Sequence, residues 1–451
     1  MKRGLVIALA LVLFAVLVPG AFAQKITVWC WDPNFNGYSM KQAALVYNKT
    51  HPNVQIDIVD VAQDIEAKIS AGLQAGGAGL PDIALFQDFR IEQFLHDYPD
   101  GFVDLKAAGV DYSKFAAYKV GPMTVGSHIY GIPFDTGSTG LWLRTDYMKQ
   151  AGLNPDSYAG KKMKWAEVVN LGVTIKAKTG QPLLSYQSDN FDMLRIVVQS
   201  TGGQFFKPDG SLNLRSDAFK KSLALFKELN DKGLLYPVVG WSDWINSINS
   251  DKAAGFLNAI WMVGTVKSRP ENAGKYMIVP TPLIEGVSGA ANASNNGGSS
   301  WYVFASSPNK AAAVDFLKSV WATATPDTLA FYNTILKGAG AMGTFLPSQA
   351  GSNYTAKDEF FYKSQPVYKD FAGWMANVPV LKYTPNYQPM RDAVAHAMLK
   401  YFQGQIATVD DTIAAAEAEY KQVMGQSVPS GIFEASVPGV SRGTEALLSQ
   451  R

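Results

Sequence analysis

The sequence predicts the α/β fold class, and three observations predict it. Short apolar strands alternate with segments of helical period, which implies parallel strands layered with helices. Polar residues follow the strand ends directly, where open α/β sheets present ligands. The length of 451 residues, 47% of them hydrophobic, allows two or three full cores at roughly 100–200 residues per domain.

The chain opens on an export signal. Met1-Lys2-Arg3 is basic, Leu5 to Val18 is apolar, Pro19-Gly20 breaks the run, and Ala21-Phe22-Ala23 offers small residues for cleavage. About 14 apolar residues are too few to span a bilayer, although an N-terminal anchor is the rival reading. Cleavage before Gln24 removes Lys2 and Arg3 and no acid, so the remaining 428 residues carry 38 basic and 38 acidic side chains. No Cys stands at the cleavage point for lipid attachment.

Lys25–Trp31 (KITVWCW) reads as a buried strand ended by the turn Asp32-Pro33-Asn34. Ser39–Asn48 has helical spacing with Ser39 as its cap, and His51-Pro52 stops it. Val54–Val59 is a second strand, Ile65–Leu73 a helix closing at Gly76–Gly79, and Pro81–Phe86 a third strand ending at Gln87-Asp88. Ile129–Leu143 places two apolar runs around a Pro/Gly/Ser/Thr stretch, as a segment crossing between two bodies would. Helices follow at Trp165–Thr179 and Asp217–Lys232, the latter capped by Ser216 and stopped by Gly233. The polar stretch Asn292–Ser300 precedes a strand, Trp301–Phe304, and a capped helix, Ser307–Thr323. A last helical block runs from Arg391 to Val423 with a pause near Gly404, and residues 426–451 read as a loosely docked tail.

Composition excludes several chemistries. One Cys permits neither an intramolecular disulfide framework nor a Cys-rich zinc site, and Cys30 reads as a buried inert thiol. His51, His96, His128 and His396 are scattered without metal-ligand spacing. A net charge of +2 gives no basic surplus for nucleic acid. Gly338–Gly343 fits GxGxxG, but a helical segment precedes it where a dinucleotide site needs a strand. Gly76–Gly79 lacks the Gly-Lys-Ser/Thr of a phosphate loop, and no GxSxG occurs. Paired acids for glycoside hydrolysis leave no mark in sequence spacing, so a secreted carbohydrate-active enzyme, a glycosidase or lyase, stays open. Aromatic residues lie close to loops: Trp29, Trp31, Trp142, Trp241, Trp244, Trp261, Trp301, Trp374, Tyr383 and Tyr387. Flat rings suit the apolar faces of sugars, with Asp, Asn and Gln for the hydroxyls. Packing accounts for about half of these rings, because Trp is heavily buried on average.

With these segments in order, the chain resembles the extracellular solute-binding proteins of carbohydrate ABC importers, akin to maltose-binding protein. The resemblance rests on Lys25–Asp32, Tyr47–Ile58, Pro81–Asp88, Tyr130–Asp146, Asp251–Trp261, Ser306–Leu317 and Tyr387–Thr412. It implies a two-lobed periplasmic binding protein fold of type II with a hinged inter-lobe cleft. Residues 24–134 and 281–338 would form lobe one, and 136–279 and 346–425 lobe two, with crossings near Pro133–Thr136, Val279–Pro282 and Gly338–Phe345. The resemblance further implies Asp32, Asn34 and Asp88 as hydroxyl partners on lobe one, Asp135 in the crossover, and Trp261 and Tyr387 as stacking aromatics on lobe two. Tyr186, Trp241, Trp301 and the Gly297-Gly298 backbone are further candidates, and Arg391 is equally a structural residue. Gly255 replaces the family's usual Met, and Asn258-Ala259-Ile260 precedes Trp261 where Gly is common.

The expected function is therefore capture of a sugar by hinge closure and delivery to permease subunits in the inner membrane. No cofactor, catalytic residue, metal or nucleic acid is expected, and the protein should be a periplasmic monomer. A binding protein for a non-sugar such as a peptide, polyamine or metal is a third reading; a polyamine site would need converging acids and a metal site His and acid clusters, neither of which the sequence shows.

Overall fold

The computed structural model describes residues 24–61 and 65–425. The export signal expected over 1–23 and the tail expected over 426–451 lie outside the described residues.

Alternation in the opening strand, Gln24–Cys30, buries Ile26, Val28 and Cys30. This strand pairs in parallel with Val54–Asp60 and with Ile83–Gln87, as the strand–helix alternation predicts. Ser299–Val303 returns from far along the chain to lie antiparallel to Ile83–Gln87, and Gly131–Pro133 pairs antiparallel at the edge. The spatial order is therefore Val54–Asp60, Gln24–Cys30, Ile83–Gln87, Ser299–Val303, Gly131–Pro133. Helices Asn36–Tyr47, Lys310–Trp321 and Pro326–Ala339 fill one face of this sheet. Ile65–Gln74 and Asp88–Asp97 fill the other. Ser39 is not a cap. The first helix starts three residues earlier, at Asn36, and the Ser39 hydroxyl donates to the Phe35 carbonyl at 2.7 Å.

The second lobe is built on Thr139–Arg144, flanked antiparallel by Gly255–Ala259 and Tyr276–Pro280. Leu184–Gln187 and Leu235–Val238 pair in parallel beside it, tied on by the Ala254 N–H donating to the Pro182 carbonyl at 2.9 Å. Helix Trp165–Thr179 forms where expected, with glycine at its left-handed C-cap, Gly180. Asp217–Asp231 is capped by Ser216, whose hydroxyl accepts from the Phe219 N–H. The last helical block splits into Tyr387–Phe402 and Val409–Gly425 around Gly404.

The chain crosses between lobes after Pro133 and again between Ala339 and Phe345. Here the GxGxxG run is the end of helix Pro326–Ala339, its C-cap Gly340 and the crossing itself. The return crossing differs from the expected Val279–Pro282. Leu283 and Ile284 are apolar and belong to the second lobe: the Leu283 N–H donates to the Met163 carbonyl at 2.9 Å, and Ile284 packs in that lobe's core. The Ala291 N–H still bonds the Ser200 carbonyl there, at 2.7 Å. Residues 281–292 thus pack on lobe two, and the chain returns through 293–298. Strand Tyr276–Pro280 ends just before Pro282, and the chain does not change lobe there.

Candidate functional site

Two of the crossings run side by side and form the floor between the lobes. The Thr139 N–H donates to the Ser294 carbonyl at 3.0 Å, and the Asn296 N–H to the Gly137 carbonyl at 2.7 Å. Gly137 is required by this approach, because a Cβ there would lie 2.0 Å from the Asn296 carbonyl oxygen. The third crossing joins them, with the Thr136 N–H donating to the Met342 carbonyl at 2.9 Å.

On the first-lobe side, Asp88 opens a helix immediately after strand Ile83–Gln87. Its carboxylate accepts from the fully buried Lys119 ammonium and, at 2.9 Å, from the Ser300 hydroxyl. Burial pushes the Asp88 carboxyl up, and Lys119 opposes that shift. Lys119 also donates to the Ser299 carbonyl at 3.0 Å. Asp135 accepts from both the Ser299 N–H and hydroxyl at 2.7 Å. Gly298 sits between these groups: its carbonyl accepts from the Asp88 N–H at 3.1 Å, and a Cβ would meet the Asp88 carboxylate at 2.8 Å.

On the second-lobe side, helix Asp192–Ser200 carries Asp192 and Arg195. Arg195 donates to Asp192 at 3.3 Å, to the Tyr383 hydroxyl at 3.2 Å and to the Asn296 side-chain carbonyl. Burial disfavours the Asp192 carboxylate, but Arg195 and Arg391 outweigh it and hold its pKa below the usual range. Burial also works against the Arg195 charge, and Tyr383, Tyr387 and Asp192 more than offset it. Asp88 is thus paired with Lys119 and Asp192 with Arg195, while Asp135 is held by the Ser299 N–H and hydroxyl.

The aromatic residues divide sharply. Trp241, 52% exposed, sits 5.7 Å from the half-buried Trp261, ring centre to ring centre. A small recess beside Trp241 is lined by Gln187, Asn190, Asp192 and Asn258. Tyr387 is buried against Tyr383 at 4.8 Å, with Phe89 of the first lobe 6.2 Å away. Trp301 and Tyr186 have their rings in the cores, although Tyr186 also borders the recess beside Trp241. Trp301 is 0% exposed and packs on Phe134 and Trp321. Tyr186 packs on Phe226 and Phe402 inside lobe two. Strand alternation decides both: Ser300 faces Asp88 while Trp301 faces the opposite way, and Ser185 meets Ser247 while Tyr186 turns into the core. Asp32 spends its carboxylate on its own loop, accepting from the Asn34 and Phe35 N–H groups at 2.8 and 3.1 Å. Asn34 is exposed. That loop reaches the first crossing through Phe35, 5.6 Å from Phe134, but no described hydrogen bond joins Asp32 or Asn34 to Asp88 or Asp135.

Sequence reasoning missed Lys119, Asp192, Arg195 and Asn296. Only the polarity of Asn292–Ser300 gave any signal. Among the described residues, no group of three or more His, Cys, Asp or Glu could hold a metal ion, and no helix is long and apolar enough to cross a membrane.

Comparison with known proteins gives the lineage. The model of the family described as bacterial extracellular solute-binding protein matches residues 33–320. The chain is 40% identical over 366 residues to the lactose-binding protein of Rhizobium radiobacter, covering 80% of this chain and 85% of that one. It is 28% identical over 306 residues to the arabinooligosaccharide-binding protein of Bacillus subtilis (strain 168), covering 62% and 68%. The solved sugar-binding protein MalE from Xanthomonas citri superposes with a TM-score of 0.72 at 17% identity, over 89% of this chain and 96% of that one. That likeness bears on the fold, which is the two-lobed α/β architecture. The chain belongs to the bacterial extracellular solute-binding protein family.

Proposed function

We propose that this protein captures a neutral oligosaccharide of the β-galactoside type, such as lactose, between its lobes. It would then present the sugar to the permease of an ABC importer. The observation that carries this reading is the Trp241–Trp261 pair beside Asn190, Asp192 and Asn258. Two rings offer flat faces to sugar C–H groups while the polar side chains meet hydroxyls. The pairing of Asp88 with Lys119 and of Asp192 with Arg195 supports an uncharged ligand. The lactose-binding relative at 40% identity supports the galactoside class. The reading places the protein in the periplasm as a monomer, released there after cleavage near Ala23-Gln24, with Asp88, Asp135, Gly298, Trp241, Trp261 and Tyr387 about the bound sugar. It assigns no catalytic role to any residue. A thermal-shift screen tests it, with lactose, galactose, maltose, arabinooligosaccharides, a peptide and a polyamine. Lactose should raise Tm most. A screen in which only peptide or polyamine stabilises the protein would overturn the reading, and formation of monosaccharides from lactose would replace it with an enzyme.

A further inference from the structure

Asn296 lies on the returning crossing, and each of its four polar groups is engaged. Its N–H donates to the Gly137 carbonyl of the neighbouring crossing at 2.7 Å. Its carbonyl accepts the Trp261 indole N–H at 3.0 Å. Its side-chain carbonyl accepts from Arg195, and its side-chain amide N–H donates to the Asn258 side-chain oxygen at 2.9 Å. The residue is buried, so these bonds are made away from competing water. Asn258 is fixed in turn, because its strand Gly255–Ala259 is paired along its length and its main-chain carbonyl accepts the Trp142 indole N–H at 3.0 Å.

The next two residues are Gly297 and Gly298, both left-handed at φ 82° and 93°. Ser299 then enters the first-lobe sheet and is held by Asp135. The chain therefore passes from a residue clamped to lobe two, through two glycines, to a residue clamped to lobe one. Hinge motions are absorbed by a few such positions, and glycine tolerates the change in φ that rotation demands. The Asn296 peptide is the lobe-two jaw of this pivot, and Trp261 is bonded to it directly.

We propose that Asn296 is a positioning residue that couples the Trp261 ring to the hinge, so that a sugar stacked on Trp261 biases the lobes toward closure. This rests on the sugar-capture reading above. A ligand shifts a conformational equilibrium only through its differential contacts with the two states. The bond from the Trp261 N–H to the Asn296 carbonyl ties the ring to the peptide that enters the two-glycine pivot. The Asn296 side chain, held by Arg195 and Asn258, fixes the plane of that peptide. Without it, the ring could stack on a sugar while the hinge stayed free.

The test uses the mature chain carrying a fluorophore pair, one dye on each lobe, with lactose as ligand. Wild type should bind lactose and shift to a single high-transfer population at saturation. Asn296→Ala should bind at least tenfold more weakly and keep a substantial low-transfer population at saturating lactose. Trp261→Phe keeps an aromatic ring but loses the N–H, and should show the same incomplete closure. The double variant should be no worse than Asn296→Ala alone, because both remove one coupling. If Asn296→Ala fails to fold, Trp261→Phe alone decides. Complete closure in either variant at saturating lactose, or additive losses in the double variant, would overturn the coupling while leaving sugar capture standing. A wild type that does not bind lactose would overturn the galactoside reading and the coupling with it.

Discussion

Phe89 of the first lobe lies 6.2 Å from Tyr387 of the second, ring centre to ring centre, with the Arg391 guanidinium 5.9 Å over its face. Phe89 also lies 6.4 Å from Tyr383. It directly follows Asp88, so one turn at the end of strand Ile83–Gln87 delivers a buried carboxylate and a ring packed on the opposite lobe. Stacking and cation–π contacts of this type contribute about 0.5–1.5 kcal/mol each. Phe89→Ala should therefore weaken sugar binding about five- to thirtyfold, chiefly through faster release, since closure contacts act after encounter. Stopped-flow release measurements check this, and an unchanged off-rate would remove Phe89 from the closed contact.

The fully buried Lys119 is paired with Asp88. Removing one partner of a buried pair leaves an uncompensated charge and costs about 3–5 kcal/mol. Lys119→Met should lose stability on that scale in urea unfolding. Lys119→Met with Asp88→Asn should lose less than Lys119→Met alone, because no unpaired charge remains. A double variant no more stable than the single would show that packing, not charge, sets the loss.

Burial pushes the Glu92 carboxyl up to about 7, against the opposing pull of Lys382 on the second lobe. A raised carboxyl favours the protonated form in the folded state. The cost of ionising Glu92 is then absent well below its ordinary pKa, grows as pH rises through about 4.5 to 7, and is constant above. Glu92→Gln should raise Tm above pH 7, by the equivalent of about 2 kcal/mol or less, and should change it little at pH 4.5. Thermal melts across that range check the sign. An equal effect at both ends would assign the change to packing.

The Tyr387 hydroxyl is buried without a hydrogen-bond partner among the described residues. An unpaired buried hydroxyl costs stability, so Tyr387→Phe should leave the apo protein as stable or slightly more so. If a bound sugar supplies the missing partner, the same variant should bind that sugar more weakly by about three- to tenfold, as expected for one neutral hydrogen bond. Calorimetry on both forms separates the two effects.

The first lobe's three parallel strands were legible because Ile26, Val28 and Cys30 alternate and because Gly or Pro punctuates the connections. Trp165–Thr179 and Asp217–Asp231 were legible from period and caps. Asp88 and Asp135 were legible as polar residues at strand and crossover ends. Trp301 and Tyr186 turn their rings into the cores, and an aromatic next to a polar loop looks the same in sequence whichever face of the strand it occupies. Pairing of Ser300 with Asp88 settles that face, and it joins residues 212 apart. The return crossing at Val279–Pro282 was carried over from the family resemblance, whereas the Leu283 N–H bonds the Met163 carbonyl and Ile284 packs in the second lobe's core. Lys119, Arg195 and Asn296 carry no periodic or motif signal at all. Their roles exist only once distant segments meet.

Sugar capture between the lobes is tested most directly by titrating lactose into the mature protein in a calorimeter, with Trp261→Ala in parallel. One saturable site at micromolar affinity, about −8 kcal/mol, with no product after long incubation and at least a tenfold loss in Trp261→Ala, is the predicted result. No binding of lactose, or equal binding by Trp261→Ala, would contradict it.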